Sequence, residues 1–158
     1  MGKSNIFKLV ICLVLTVGLG GVGGFFTVKE IASWYVTLHK PNFNPPNYLF
    51  GPAWSVLYVL MGISLYIIWK QPPSVQRKQA ITIFLIQFTL NIIWSFIFFN
   101  QHQILWALAD IIAMWLLILL TIFSFAKLNK TAAWLLVPYI SWVSFATLLN
   151  AAIWMLNN

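Results

Sequence analysis

Charge is what this chain has least of. Only 7% of its 158 residues are Asp, Glu, Lys or Arg, where a water-soluble globular surface carries about a quarter. A chain so poor in charge cannot solvate a globular exterior, so it reads as an integral membrane protein. Acids are scarcer still: Glu30 and Asp110 are the only two. That excludes paired carboxylates for general acid and base work, a Ser/His/Asp set and phosphoryl-transfer machinery. The one cysteine, Cys12, sits inside an apolar run, which leaves no disulfide framework within the chain. His39 and His102 stand in turns without companions at ligand spacing, so no metal site is expected. The nine basic residues form no stripe on a polar face, which argues against a nucleic-acid partner despite the net charge of +7. No cofactor is required by anything in the residues.

What is present is apolar: 61% of the chain, in runs long enough to cross about 30 Å of hydrocarbon. Five spans are expected, over about 6–26, 51–69, 78–99, 105–125 and 132–156, within one domain covering 1–158. The first holds five of the eight glycines, and Gly20 with Gly24 has the spacing that lets helix backbones approach closely. It also resembles a secretory signal, but its run of about 20 residues suits a retained helix. Pro138 should kink the fifth span or free a carbonyl for a neighbour. The fold class is therefore all-α: a bundle of five transmembrane helices with a long structured loop, 27–50, between the first two.

That loop is shaped by its composition. From Trp34 to Trp54 the chain carries four of its seven prolines, Pro41, Pro45, Pro46 and Pro52, and one charge, Lys40. Each proline fixes φ and biases the residue before it towards extended or turn geometry. Phe43, Tyr48, Phe50 and Trp54 bring apolar faces that must lie against something. A lid over the mouth of the bundle, with Trp34, Lys40, Pro41, Phe43, Pro45 and Pro46 as its residues, satisfies both requirements.

Sorting the basic residues by side tests the span count. Lys3, Lys8, Lys70, Arg77, Lys78, Lys127 and Lys130 fall on one side, and Lys29 and Lys40 on the other. Seven against two is a firm signal for a cytoplasmic amino terminus and an external carboxyl terminus, which makes the lid external. The asymmetry favours a bacterial cytoplasmic membrane.

Polar residues recur on three helical faces within the spans. Gln87, Asn91, Trp94, Ser95 and Phe98 lie on one face of the third. Tyr139, Trp142, Phe145, Ala146, Leu149 and Asn150 do the same on the fifth, and Trp54, Tyr58, Gly62 and Leu65 on the second. Facing inward, these stripes would line a pocket walled by indole and phenol rings and floored by amides. The alternative is that the amides bond only to neighbouring helices and the rings only pack. Trp69, Trp106, Trp134 and Trp154 lie near span ends, where the interfacial belt explains them. Asp110 is the only acid within a span, about 8 Å along the helix from Leu105. It needs water or a donor such as a lid backbone or a tyrosine, and with no second carboxylate and no intramembrane His or Lys it makes a poor proton relay.

The glycine-rich first span, then WYVTLHKPNFNPP, FGPAWSVLYVLMG, QFTLNIIWSFIFF, WALAD and PYISWVSFATLLNAAIWMLN follow one another in this order. In that order they resemble the signatures of the translocator protein family, also called the tryptophan-rich sensory protein (TspO/MBR) or peripheral-type benzodiazepine receptor family. The resemblance covers nearly the whole chain. It implies a five-helix bundle, commonly a homodimer, whose pocket under the first loop binds flat hydrophobic ligands, above all porphyrins such as protoporphyrin IX. It also implies isoquinoline carboxamide and benzodiazepine ligands. The ligand-lining positions it implies are Trp54, Tyr58, Gln87, Asn91, Trp94, Tyr139, Trp142, Phe145, Ala146 and Asn150. Light- and oxygen-dependent breakdown of bound porphyrin, implied for some bacterial members, would use Trp54 and Trp142 as the electron-rich indoles. Nothing basic follows Tyr139, so the animal cholesterol motif is incomplete here. Three readings remain: a tetrapyrrole-binding sensor or scavenger, a photo-oxidative enzyme on the same ligand, and a transporter. Binding is favoured, with Lys40 or His39 neutralising the ligand's carboxylates at the lid.

Overall fold

The structure, a computed structural model, describes residues 3–158. Met1, Gly2 and the Lys3 side chain, which the domain and charge readings include, lie outside the described residues. Five helices long and apolar enough to cross a membrane make up the fold: α1 Ser4–Ile31, α2 Asn47–Trp69, α3 Val75–Asn100, α4 Ile104–Ala126 and α5 Lys130–Leu156. No strand forms among the described residues. Packing between helices sets their order around the bundle as α1, α2, α5, α4, α3, with α2 also touching α3 across the middle.

The spans run longer than hydropathy suggests because helices continue past the apolar run until a breaker stops them. In α1 the helix passes Thr27, Lys29 and Glu30 to Ile31, five residues beyond the expected end, so the connection shortens to Ala32–Pro46. Side-chain caps fix two other starts: Ser74 Oγ accepts from the Arg77 N–H at 3.1 Å and Asn129 Oδ1 from the Ala132 N–H at 3.1 Å.

Pro138 acts as expected, and its consequence is visible. The fifth span breaks at Leu135–Leu136, where the Leu136 N–H bonds to Ala133 O at 3.1 Å and so leaves Ala132 O without its usual partner. The Ser64 hydroxyl on α2 donates to that carbonyl at 2.7 Å.

The glycines of α1 are used for packing, in a register of three residues and not the expected four. A Cβ on Gly20 would come within 2.5 Å of the Tyr58 ring, and one on Gly23 within 3.2 Å of Ser95 Oγ. Gly18, Gly21 and Gly24 have nothing within 4 Å of that position.

The main core fills the bundle from Phe84, Phe88 and Phe125 through Met61 and Met114 to Tyr139. A second cluster, around Tyr35, Phe98, Phe99, Leu149 and Ile153, sits at the end covered by the Ala32–Pro46 connection. Outward, Phe7, Val14, Phe25, Val28 and Val56 are exposed, the composition of a surface meant for hydrocarbon.

Candidate ligand-binding site

The tyrosines and amides of the three stripes meet first. The Tyr58 O–H donates to Asn91 Oδ1 at 2.9 Å, Asn91 Nδ2 donates to the Tyr139 oxygen at 3.1 Å, and the Tyr139 O–H donates to Gln87 Oε1 at 2.8 Å. All four residues are buried. The chain of bonds joins α2, α3 and α5 in the middle of the bundle, where an unpaired polar group is costly. Gln87 Nε2 is the exception, buried without a partner. The packing alternative therefore describes these four residues well: they bond to one another and close the floor.

The indoles stand above that floor. Trp54 stacks on Tyr58 at 5.4 Å between ring centres and meets Tyr139 edge-on at 6.2 Å. Trp94 donates its Nε1–H to Asn150 Oδ1 at 3.1 Å, and Asn150 Nδ2 donates to Ile104 O at 3.0 Å. Trp142 lies 6.2 Å from Phe50 and 5.8 Å from Phe145. Trp54, Trp94, Trp142, Ala146 and Asn150 share one cavity of about 30 Å³ with Tyr35, Phe50 and Phe99. Such a volume holds about one water molecule. Phe145 faces away from it, against Phe43 and a shallow outer depression.

Phe99 and Tyr35 are lining residues that sequence periodicity missed. Phe96–Asn100 is a wide turn in which the Gln101 N–H bonds to Phe96 O at 3.0 Å, five residues back. Phe98 and Phe99, both within this wider turn, reach the cavity wall together.

The Ala32–Pro46 connection lies over this end. Trp34 stacks on His102 at 4.1 Å and meets Phe98 edge-on at 5.5 Å, while Glu30 Oε2 lies 3.3 Å from His102 Nε2. Asn157 closes the other side, accepting from the His39 N–H at 2.9 Å and donating to His39 O at 2.8 Å. Pro41 O accepts from Asn44 N–H and Pro46 O from Leu49 N–H, each at 3.0 Å, so the prolines sit at the turns. Pro45 O accepts from Asn44 Nδ2 at 3.1 Å. The buried Tyr35 hydroxyl donates to Asn44 Oδ1 at 2.6 Å, and its burial pushes it up to about 12 from an ordinary value of 10.0.

Lys40 and Asp110 have surroundings that the sequence does not announce. The Lys40 ammonium donates to the carbonyls of Tyr35 at 2.7 Å and Leu38 at 3.0 Å and lies 5.0 Å from the Tyr35 ring centre. Asp110 finds neither a lid N–H nor a tyrosine. Its Oδ2 is buried without a partner, and the residue borders a surface depression with Gln101, Gln103 and Trp106.

Fold and site together define an integral membrane protein: five helices around a small aromatic cavity closed below by tyrosines and amides and above by a proline-turned connection. The chain belongs to the TspO/MBR family, whose sequence profile matches residues 10–155. It is 43% identical to the tryptophan-rich protein TspO of Archaeoglobus fulgidus over 153 residues, 97% of this chain and 99% of that one. It is 35% identical to the human translocator protein over 139 residues, 87% of this chain and 82% of that one. The tryptophan-rich sensory protein of Cereibacter sphaeroides is 36% identical over 124 residues, 78% of this chain and 77% of that one.

Proposed function

We propose that the protein binds porphyrins of the protoporphyrin IX type, and similar flat hydrophobic molecules, within the bundle. The observation that carries this reading is the convergence of Trp54, Trp94 and Trp142, from three different helices, on one cavity. Indoles offer flat, polarisable faces to a π-system, and the ordered connection above them excludes water. In this conformation the cavity is too small for a macrocycle, so binding requires aromatic rings to move apart, and the rings at its edge, Phe50 and Trp142, are the ones that would move. The connection Ala32–Pro46 then acts as the lid.

The cellular role that fits is sensing or scavenging in a bacterial cytoplasmic membrane, with the amino terminus inside, the lid outside and two copies forming a homodimer. A photo-oxidative role follows on the same ligand. With light and dioxygen as co-reactants, Trp54 and Trp142 are the indoles placed to give an electron or to meet singlet oxygen. Transport is the second reading, favoured by the break before Pro138, since interrupted helices are where transporters build their substrate sites.

Dark titration of the purified protein with protoporphyrin IX, followed by tryptophan quenching, tests binding. Saturable quenching is expected, and no saturation at micromolar porphyrin would contradict the reading. Illumination then tests the chemistry. The Trp54→Phe/Trp142→Phe double variant should bind but lose protein-dependent bleaching of the Soret band, and unchanged bleaching would remove the photo-oxidative role. Counter-transport in liposomes separates the transport reading from binding.

A further inference from the structure

The end of the bundle opposite the aromatic cavity is rich in cations and has no acid. The chain's only two acids lie elsewhere: Glu30 beside His102, and Asp110 at the depression with Gln101 and Trp106. Three cations at this end are occupied, with Lys8 over the Trp69 ring, Lys70 over Tyr66 and Arg77 on the carbonyls of Trp69 and Gln71. Lys78, in the first turn of α3, and Lys127, just past the end of α4, have no such partner among the described residues. Both line one depression of about 530 Å³ between the two helices. Two hydroxyls there are also unused. Thr89 on α3 and Thr121 on α4 return their hydroxyls to the carbonyl four residues back, at 2.9 and 2.7 Å, as such groups do inside membrane helices. The Thr82 and Ser124 hydroxyls, which line the depression, make no hydrogen bond among the described residues. Lys78 and Thr82 are four residues apart and Ser124 and Lys127 three, so each pair shares a helical face. Further into the span the same faces turn apolar, with Leu85 on α3 40% exposed and Leu120 on α4 51% exposed.

We propose that this depression binds an anionic phospholipid, its phosphate between Lys78 and Lys127 and an acyl chain along Leu85 and Leu120. Charge complementarity names the partner. Two ammonium groups from different helices face one space, and no carboxylate of the chain is there to neutralise them. The Thr82 and Ser124 hydroxyls add donors to the same phosphate oxygens. The depth fits as well. Lys78 lies about 4.5 Å inside the start of α3, and a flexible lysine stem lets its ammonium stay at the headgroup level. Basic pockets between membrane helices hold anionic headgroups in this way. A free phosphate would use only the polar half of the site, whereas a phospholipid also covers the apolar seam below it. The lipid stands apart from the aromatic cavity, at the other end of α3, and its binding does not depend on a porphyrin.

The test is a lipid titration. Protein stripped of lipid in an uncharged detergent is titrated with dioleoyl phosphatidylglycerol while its thermal midpoint is followed. The midpoint is expected to rise to saturation, and dioleoyl phosphatidylcholine, with the same chains and no net charge, is expected to leave it unchanged. Lys78 and Lys127 are exposed, so the Lys78→Gln/Lys127→Gln variant keeps its packing and its lipid-free midpoint. Its half-saturation should move up about tenfold. Thr82→Val/Ser124→Ala keeps both charges and should move it about threefold. Lys130→Gln removes a cation from the same end but outside the depression, and should not move it. Unchanged half-saturation in either double variant overturns the proposal. So does an equal loss in Lys130→Gln, which would mean diffuse attraction to a basic surface. An equal rise with phosphatidylcholine, or with inorganic phosphate alone, overturns it too, since the first needs no charge and the second no lipid.

Discussion

Tyr35 shows how one side chain organises the Ala32–Pro46 connection. It is 2% exposed, bonded to Asn44 and covered by the Lys40 ammonium. With its hydroxyl pushed up to about 12, the folded connection keeps a proton that the unfolded chain releases near 10.0. The folded state then binds more protons than the unfolded one across that window, so stability is full below pH 10 and falls as pH rises towards 12. Tyr35→Phe should flatten this alkaline slope, as read from thermal midpoints against pH, and an unchanged slope would place the titration elsewhere. Tyr139 is the corresponding residue of the floor, bonded to both Asn91 and Gln87. Tyr139→Phe leaves two buried amides short of a partner and should cost about 1–3 kcal/mol in unfolding measurements in detergent. At this scale the sequence was only partly readable. Period-3.6 faces picked out Tyr58, Gln87, Asn91 and Tyr139, but nothing in a face pattern tells a lining residue from one bonded to its neighbours. The carbonyl partners of Lys40 are out of reach for a related reason: they belong to backbone turns that no side-chain pattern encodes.

The elements were more legible. Five apolar runs separated by prolines, amides and basic residues are hard to read otherwise, and the structure has five such helices. Their ends were not, because the hydrophobic run marks the width of the bilayer whereas a helix stops at its caps and breakers, as α1 does only past Glu30. The wide turn at Phe96–Asn100 is invisible to a face pattern, which holds one regular period throughout. The break before Pro138 was foreseen, and its partner on α2 was not. Ser64→Ala should leave Ala132 O unpaired and lower stability by about 1–3 kcal/mol, measured as a shift in thermal unfolding. In α1, Gly20→Ala should destabilise and Gly21→Ala should not, since only the first new Cβ meets the Tyr58 ring. Equal effects from the two would contradict the packing register.

Over the whole molecule, the two ends of the bundle differ in chemistry. At one, Lys8 lies over the Trp69 ring, Lys70 over Tyr66, and Arg77 donates to Gln71 O at 2.6 Å. At the other, the lid is tied to the carboxyl-terminal end of α5 and to the turn after α3. On the proposed topology, which follows the seven-to-two division of basic residues, the first end is the cytoplasmic one. In intact cells a membrane-impermeant thiol reagent should therefore label Asn158→Cys and spare Lys127→Cys, and the reverse pattern would invert the topology. Family membership and helix count were readable from motif order; the size of the cavity was not, since it depends on how far apart packed helices stand.

The central claim is that a porphyrin is held in one orientation within this bundle. Protoporphyrin IX is achiral and gives no Soret-band circular dichroism free in a membrane, whereas a ring fixed in a chiral slot does. The account predicts an induced signal that titrates to saturation with wild-type protein in nanodiscs. A porphyrin that partitions into the same nanodiscs and shows no induced signal at any ratio would contradict it.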